Sequence, residues 1–247
     1  MSTICILDFE TTGLNPEVDE IIEYAIKKYK SDSNINNFVK PNFMEVSDRI
    51  TEITSITSDM LNESGITQRE ACEHIDSFLV DNNIEYVLAH NGHRFDYLFL
   101  KNLFKRNNKI LPKLKYVDTI QVFKDIIKLN SYSQKSLCKK YGIVQENAHR
   151  AIGDVIDLSN LCVKSGVSIE HLDKHAKDIG SVNDMHGIFH TIELFKNTDE
   201  KEYILHNHNS KERRLIYMYI DIFNKKNNVN YIHKTNYKKT QLHITKE

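Results

Sequence analysis

Short apolar segments near the start of the chain predict a group of strands. Residues 3–9 form a β-branched apolar run that ends in polar residues and Gly13, which is typical of a buried strand followed by a turn. Residues 21–29 and 37–39 continue this pattern on either side of a polar turn, so we expect all three to form an antiparallel meander. Two further strands are predicted later in the chain, at residues 86–89 and 116–117.

Helical spacing of apolar residues fills the chain between and after these strands. Apolar residues recur every three or four positions over residues 48–62, which predicts a helix. Residues 67–80 repeat that spacing, and Thr67 with Glu70 three positions on is a capping box that predicts where this helix begins. Gly142 predicts the end of a later helix. The other predicted helices of this part cover residues 95–104, 119–129, 133–141 and 151–163.

The order of these elements predicts the fold class and the domain division. Strands come first and then alternate with helices, which is typical of an α/β domain with a mixed sheet flanked by helices. We place the boundary after residue 165, so that residues 1–165 form one domain. Residues 166–247 form a polar C-terminal extension, predicted to be mainly helical with helices at residues 182–195 and 212–224, and its role stays unassigned.

Composition narrows the class of protein. With 247 residues and 40% hydrophobic residues, the chain can bury one good core. Its apolar runs fall far short of the ~20 residues that cross a bilayer, and no charged-then-apolar leader opens it, so we expect a soluble protein without a membrane role. Four widely spaced cysteines form no zinc or disulfide pattern, which favours an intracellular compartment, cytoplasm or nucleus.

Net charge limits how the chain can bind polyanions. It has 33 basic and 34 acidic residues, a balance that argues against coating nucleic acid through bulk charge. Any contact with nucleic acid is therefore expected to be local.

Two acids at the end of the first strand are the first candidates for chemistry. Asp8 and Glu10 stand two residues apart, so on a strand their side chains project from the same face. Like charges there repel unless a cation neutralises them, and hard carboxylate oxygens suit Mg²⁺ or Mn²⁺. The simpler interpretation is a solvated turn after an edge strand, and these two residues alone do not decide between the two.

Two later acids and a histidine extend this candidate site. Asp96 opens a helix after the strand at residues 86–89, and Asp154 lies in the first turn of the last helix, so both can converge on the same strand end. Four carboxylates would then surround two metal ions, an arrangement that stabilises the attacking and leaving oxygens in phosphodiester hydrolysis. His149, five residues before Asp154, would be the general base, although on its own it is better explained as a surface loop histidine.

Three motifs resemble those of the DEDD exonucleases of the ribonuclease-H-like fold, in the subclass that carries a histidine. The first is DFETTGL at residues 8–14, the second AHNGHRFD at residues 89–96 and the third AHRAIGDV at residues 148–155. The match covers about two thirds of the chain. Arg150 stands four residues before Asp154, where the other subclass carries a tyrosine.

This resemblance implies a ribonuclease-H-like mixed sheet and gives each motif residue a role. It makes Asp8, Glu10, Asp96 and Asp154 the ligands of two Mg²⁺ or Mn²⁺ ions and His149 the catalytic base. These five residues are the expected catalytic set.

The second motif is most similar to that of the three-prime repair exonucleases, the Trex branch. His90 precedes Asp96 by six residues, rather than the five usual in proofreading subunits. The resemblance implies substrate contacts for Thr11, Leu14, Ile56, Arg94 and Phe95. Thr11 stands where that branch usually has alanine, and the proline-rich insertion and membrane anchor of its best-known member have no counterpart. Membrane tethering and proline-mediated partner binding are therefore not implied.

The expected function is metal-dependent 3′-to-5′ hydrolysis of single-stranded DNA with release of 5′-nucleotides. The implied partner is a nucleic acid with a free 3′ end, and a homodimer is left open. The preference for DNA rests on the second motif alone, so RNA or oligoribonucleotides stay open as substrates. A second alternative is a module that binds nucleic acid without cleaving it, against which the five filled catalytic positions argue.

Overall fold

The computed structural model describes residues 2–42, 45–145 and 150–179, together with three strands beyond residue 200. The chain divides into two compact units, Met1–Gly180 and Ser181–Glu247. Every candidate catalytic residue that the structure describes belongs to the first unit.

A six-stranded sheet forms the centre of the first unit. Its strands are β1 (Ile4–Thr11), β2 (Ile21–Lys28), β3 (Asn34–Phe38), β4 (Tyr86–Ala89), β5 (Lys115–Asp118) and β6 (Ala176–Lys177). Their order is β3-β2-β1-β4-β5-β6, in which β1, β4 and β5 run parallel and the other neighbours are antiparallel. The carboxyl ends of the three parallel strands therefore meet at one edge of the sheet.

Helices cover both faces of this sheet. They are α1 (Asp48–Thr54), α2 (Ser58–Ser64), α3 (Gln68–Asp81), α4 (Asp96–Arg106), α5 (Thr119–Ile126), α6 (Gln134–Tyr141), α7 (Ala151–Lys164) and α8 (Ile169–His175). Alternate residues of β1 divide between two cores, because successive strand residues point to opposite faces. Ile4 and Ile6 pack with α5 to α8, whereas Cys5, Leu7 and Phe9 pack with α3 and α4. The predicted α/β class with a mixed sheet between helices is confirmed.

Local signals in the sequence set several helix ends. The Thr67 hydroxyl accepts from Glu70 N–H and the Glu70 carboxylate accepts from Thr67 N–H, which completes the predicted capping box. Gly142 ends α6 with a φ of 62°, a left-handed conformation that glycine adopts without strain.

The single helix predicted over residues 48–62 is two helices, α1 and α2. The helix breaks because side-chain hydroxyls replace the backbone hydrogen bonds of the next turn. Thr54 Oγ1 accepts from Ile56 N–H at 3.1 Å, and the Thr57 hydroxyl accepts from Met60 N–H at 3.2 Å and so begins α2. Ser55 between them has a φ of 59°.

The first unit continues past the boundary that we predicted after residue 165. Leu172 of α8 is buried in the core that lies beside α7. Strand β6 then pairs with Tyr116 and Val117 of β5. Helix α8 adds to this core and β6 extends the sheet beside β5, which explains why the compact unit is longer than the predicted domain.

The second unit contains an antiparallel three-stranded sheet in the order β7-β9-β8. The strands are β7 (Glu202–His206), β8 (Tyr231–Thr235) and β9 (Gln241–Lys246). The sequence pattern did not predict these strands, and the helices predicted at residues 182–195 and 212–224 lie outside the described residues. In the part of the chain that the structure describes, no helix has the length and apolar character needed to span a bilayer.

Candidate active site

The alternation of side chains along β1 points two acids toward the face that α7 covers. Asp8 and Glu10 continue the face on which Ile4 and Ile6 pack against the helices α5 to α8. The apolar half of this face lies in the core, and its acidic half reaches the edge where the parallel strands end. The prediction that the two acids share one face of a buried strand agrees with this geometry.

Helix α7 brings a third acid to the same place. The carboxylate oxygens of Asp8, Glu10 and Asp154 lie within 4.8 Å of one another. Asp154 occupies the first turn of α7, and its N–H donates to Arg150 O at 3.0 Å. Three carboxylates from two elements therefore surround one small space.

Asp96 reaches this edge because β4 is shorter than β1. In the ladder, β4 pairs only with Ile4, Cys5 and Ile6, so the acidic half of β1 has no strand on that side. Phe9 N–H donates instead to Asp96 Oδ1 at 3.2 Å. This hydrogen bond fixes the first residue of α4 beside β1, and the Asp96 side chain is buried there.

The acids raise one another's pKa. Burial, followed by repulsion from Asp96, Glu10 and Asp154, raises the pKa of Asp8 well above its usual range. Burial and repulsion from Asp154 raise the pKa of Glu10 to about 8, and burial raises that of Asp96 to about 7. A site that resists ionisation in this way is stabilised by a cation, and an all-oxygen anionic donor set fits Mg²⁺ or Mn²⁺.

A buried carboxylate on β2 anchors the start of α7. Glu23 is 1% exposed and accepts from Arg150 Nη2 at 2.8 Å, from Arg150 Nε at 3.2 Å and from Ala151 N–H at 3.0 Å. The Arg150 guanidinium also lies over the Phe38 ring, 4.9 Å from its centroid. Sequence reasoning missed this pair, although a lone acid within the apolar strand β2 is a signal that could have marked Glu23.

A neutral amide contacts Asp154 from α6. Gln134 Nε2 donates to Asp154 O at 2.9 Å and to Asp154 Oδ1 at 3.1 Å. Sequence reasoning missed Gln134 as well, because nothing near it in the sequence distinguishes it from any exposed helix residue.

A braced loop presents Leu14, one of the predicted substrate contacts, to solvent. Leu14 is 83% exposed at the turn that follows β1. Arg106 holds this loop to α4 by donating to the carbonyls of Pro16, Glu17 and Asp19 at 2.9 to 3.2 Å. The loop packs so closely that a Cβ at position 13 would lie 2.5 Å from Asp19 Oδ2, which explains the glycine there. The loop thus exposes an apolar side chain to solvent four residues after Glu10 in the sequence.

The remaining predicted substrate residues occupy different environments. Arg94 is exposed, and Phe95 is half-buried with its ring 4.9 Å from that of Phe99. Thr11 is buried, and its hydroxyl donates to Gly13 O at 2.6 Å, so it shapes the loop from inside.

The expectation for Ile56 needs a correction. Its side chain is 0% exposed and packs in a small core with Ile22 and Leu61. A fully buried side chain offers no surface to a base, so its role here is to pack the segment between α1 and α2 onto the sheet.

The proposed base, His149, and the first histidine of the second motif, His90, remain to be placed. His149 lies outside the described residues, so its role stays a prediction. His90 is bonded on both ring nitrogens, to Thr119 Oγ1 at 3.0 Å and to Tyr132 O at 2.8 Å. These contacts make His90 a structural residue that joins neighbouring loops.

Comparison with known proteins gives a match over most of the first unit. A family model, RNase_T, described as "Exonuclease", matches residues 5–162. A "DNA polymerase III PolC-type" of Thermotoga petrophila is 37% identical over 158 residues, covering 62% of this chain and 11% of the relative. A "3'-5' exonuclease DinG" of Staphylococcus aureus is 28% identical over 176 residues, covering 70% of this chain and 19% of the relative. The chain thus spans less than a fifth of the length of these relatives.

Solved structures share the fold. The zinc-bound E. coli ExoI–ssDNA complex superposes with a TM-score of 0.61 at 20% identity, covering 84% of this chain and 48% of that one. Cell-death related nuclease 4 superposes with a TM-score of 0.57 at 18% identity, covering 72% of this chain and 66% of that one. At these identities the likeness concerns the fold alone, and it confirms the predicted ribonuclease-H-like sheet.

Proposed function

Because the chain belongs to the exonuclease family of the RNase_T model, within the DnaQ-like DEDD superfamily, we propose that it removes nucleotides from the 3′ end of DNA with divalent metal ions. The observation that carries this proposal is the cluster of Asp8, Glu10 and Asp154, with oxygens within 4.8 Å of one another. A module that only binds nucleic acid would gain nothing from such a cluster, because phosphate is itself an anion and would be repelled.

In this proposal the acids hold the ions and the other groups handle the water and the strand. Two Mg²⁺ or Mn²⁺ ions, when bound, stabilise the attacking and the leaving oxygen of the phosphodiester. Asp8, Glu10, Asp96 and Asp154 are the proposed ligands, of which Asp96 is buried and the other three are half-buried. His149 is proposed to take the proton of the attacking water, on the strength of its position five residues before Asp154 in the sequence.

The subclass with a histidine base is favoured by the contacts of Arg150. A tyrosine subclass would need a hydroxyl at this position, whereas Arg150 is tied to the buried Glu23 carboxylate. The second motif keeps its likeness to the Trex branch, so we retain that branch as part of the proposal. The relatives reported above are PolC and DinG proteins, and they support the wider superfamily.

Single-stranded DNA is the substrate that we propose. The names of the relatives include a DNA polymerase, and a structural neighbour was solved with ssDNA. In this chain, the exposed Leu14 follows β1, the strand that carries Asp8 and Glu10, and we propose that its apolar side chain packs against an unpaired terminal base. Arg94, also exposed, can meet a phosphate. Such local contacts suit a chain whose bulk charge is balanced.

One substrate series tests the proposal. The same end-labelled DNA strand is offered as a linear single strand, a circle, a strand with a 3′-terminal phosphorothioate and a blunt duplex, each with Mg²⁺ and with excess chelator. We expect stepwise loss from the linear 3′ end, an uncut circle, and slower cutting of the duplex because its end must first fray. Cutting of the circle at the linear rate would make the protein an endonuclease and would contradict the proposal.

A matched RNA strand separates the substrate alternatives. Faster cutting of RNA than of DNA would transfer the same chemistry to RNA and would reject the DNA preference. Tight binding of either strand without any cleavage, in Mg²⁺ or in Mn²⁺, would favour the non-catalytic alternative.

A further inference from the structure

We propose that Gln134 is a positioning residue that holds the Asp154 carboxylate toward Asp8 and Glu10. Its amide nitrogen donates to two oxygens of one residue, Asp154 O at 2.9 Å and Asp154 Oδ1 at 3.1 Å. A carboxylate turns about its two side-chain torsions, and a contact that spans its backbone and side chain restricts both. The inference rests on the proposed function, since it gives Asp154 the task of binding a cation.

The helix that carries Asp154 is held without Gln134. The backbone N–H of Ala151 and the guanidinium of Arg150 are bound to Glu23 on β2. Ala151 and Val155, on either side of Asp154 in the sequence, are fully buried in the core against β1. Removal of the Gln134 amide therefore leaves α7 in place and removes this restraint on the side chain of Asp154.

The chemistry of an amide suits this task. A carboxylate has about four lone-pair sites, so an oxygen that accepts one N–H keeps acceptor capacity for a cation. A neutral donor orients the acid and does not neutralise it, whereas a lysine at this position would supply the positive charge that the ion has to bring. Groups of this kind, next to metal ligands, typically change metal affinity by 10- to 100-fold when they are lost.

The chain offers a matched control in Gln68. Its Nε2 also donates to two oxygens, Ile21 O at 2.7 Å and Lys40 O at 3.1 Å, and it ties α3 to β2 and the segment after β3. Gln68 is the more buried of the two glutamines, and neither of its partners is a candidate ligand. Replacement of each glutamine with methionine keeps the length of the side chain and removes the donor.

The test measures Mn²⁺ affinity by calorimetry and the melting temperature in chelator, for the wild type, Gln134→Met and Gln68→Met. We expect Gln134→Met to bind Mn²⁺ about 10- to 100-fold more weakly, with a melting temperature close to that of the wild type. Gln68→Met should melt earlier and bind Mn²⁺ as the wild type does. Gln134→Leu, a second variant without the donor, should reproduce the loss of affinity.

Three results would overturn the inference. Wild-type Mn²⁺ affinity in Gln134→Met and Gln134→Leu would show that the amide does not position Asp154. An equal loss of affinity in Gln68→Met would assign the effect to general stability. Absence of Mn²⁺ binding by the wild type would remove the metal proposal and this inference together, and so differs from a failure of the inference alone.

Discussion

The two edges of the central sheet hold acids in opposite electrostatic settings. At the edge where β1, β4 and β5 end, Asp8, Glu10 and Asp154 crowd together, and burial and mutual repulsion raise the pKa of Asp8 and Glu10. At the edge where β4 and β5 begin, Lys115 Nζ lies 2.9 Å from Asp173 Oδ1 and 3.1 Å from Glu85 Oε1.

At the second edge the pKa values of the acids are lowered, whereas at the first edge they are raised. Hydrogen bonds from Tyr86 and Lys115 lower the pKa of Asp173, and hydrogen bonds from Ser2 and Lys115 lower that of Glu85. At the second edge, where the acids have a structural role, the side chain of Lys115 neutralises them. Where they repel one another, we propose that an external cation completes the site, which makes this edge the candidate functional edge.

The largest expected effect comes from removing an acid at the edge where β1, β4 and β5 end, which we call the repelling edge. Asp8→Asn should lower cleavage by about 10³-fold or more, because transition-state stabilisation by the metal is lost. Its melting temperature in chelator should stay level or rise, because one source of repulsion is gone. Nuclease assays and thermal melts of this variant measure both effects. The comparison is Asp173→Asn at the edge where β4 and β5 begin, which we call the neutralised edge.

Asp173→Asn is expected to do the reverse, with full activity and a slightly lower melting temperature. Robust cleavage by Asp8→Asn, or by the wild type in excess chelator, would remove the electrostatic difference between the edges as a sign of function.

The next largest effect concerns the proposed base. His149→Ala should lower turnover by about 10² to 10⁴-fold with little change in substrate binding, as the loss of a general base does. Single-turnover rates and DNA affinity, measured over about pH 6 to about pH 9, separate the two quantities. Wild-type turnover throughout this range would make the histidine structural and leave the acids to work with another base.

The stability of the metal-free protein should depend on pH in the direction set by the repelling edge. The pKa is about 8 for Glu10 and about 7 for Asp96 in the folded protein, against ordinary values near 4 in the unfolded chain. The folded state therefore binds more protons than the unfolded state between about pH 4 and about pH 8. Stability is fully present below this window and falls as the pH rises through it.

Urea unfolding in chelator across this window checks the slope. Saturating Mg²⁺ should flatten it, and Glu10→Gln should reduce it. A stability that stays level or rises with pH would mean that the acids ionise as ordinary exposed carboxyls do.

A smaller effect is expected for Arg94, which we propose contacts the DNA strand near the repelling edge. If Arg94 binds a phosphate, Arg94→Ala should reduce the slope of log affinity against log salt by about one. Arg69→Ala, which removes another exposed arginine, paired with Glu73 on α3, is the control and should keep the wild-type slope. An unchanged slope in Arg94→Ala would take this residue out of the binding surface.

The smallest effect belongs to the neutralised edge. Lys115→Met should lower the melting temperature slightly and leave cleavage unchanged, because its two carboxylate partners are exposed and can be solvated. Thermal melts and the standard cleavage assay measure both. A loss of activity equal to that of Asp8→Asn would show that the two edges are coupled, which the separation of functions does not allow.

The site was predictable where local patterns decide geometry. The alternation of β1 directs Asp8 and Glu10 to one face, and Gly142 ends α6, because strand period and left-handed backbone are properties of a few adjacent residues. Asp154 could be expected at the same edge because a helix start follows a recognisable motif.

Contacts between distant segments were not predictable. Gln134 meets Asp154, and Glu23 meets Arg150, only after α6, α7 and β2 have packed together. Ile56 shows the converse case, in which a substrate contact was predicted but the side chain is buried. A role implied by family resemblance was assigned to a side chain that tertiary packing removes from the surface.

Because Asp8 and Asp154 lie far apart along the chain, the site can form only after most of the first unit has been synthesised and has folded. β1 is made before α7 during synthesis, and its acids gain their third neighbour only when α7 has been translated and has packed onto the sheet. A growing chain that has not reached α7 therefore contains the first two motifs and no complete site. Contacts of such long range also slow folding, because a large loop must close before they form. The appearance of cleavage during refolding should therefore coincide with the last step of folding, which makes the reaction itself a reporter of the finished domain.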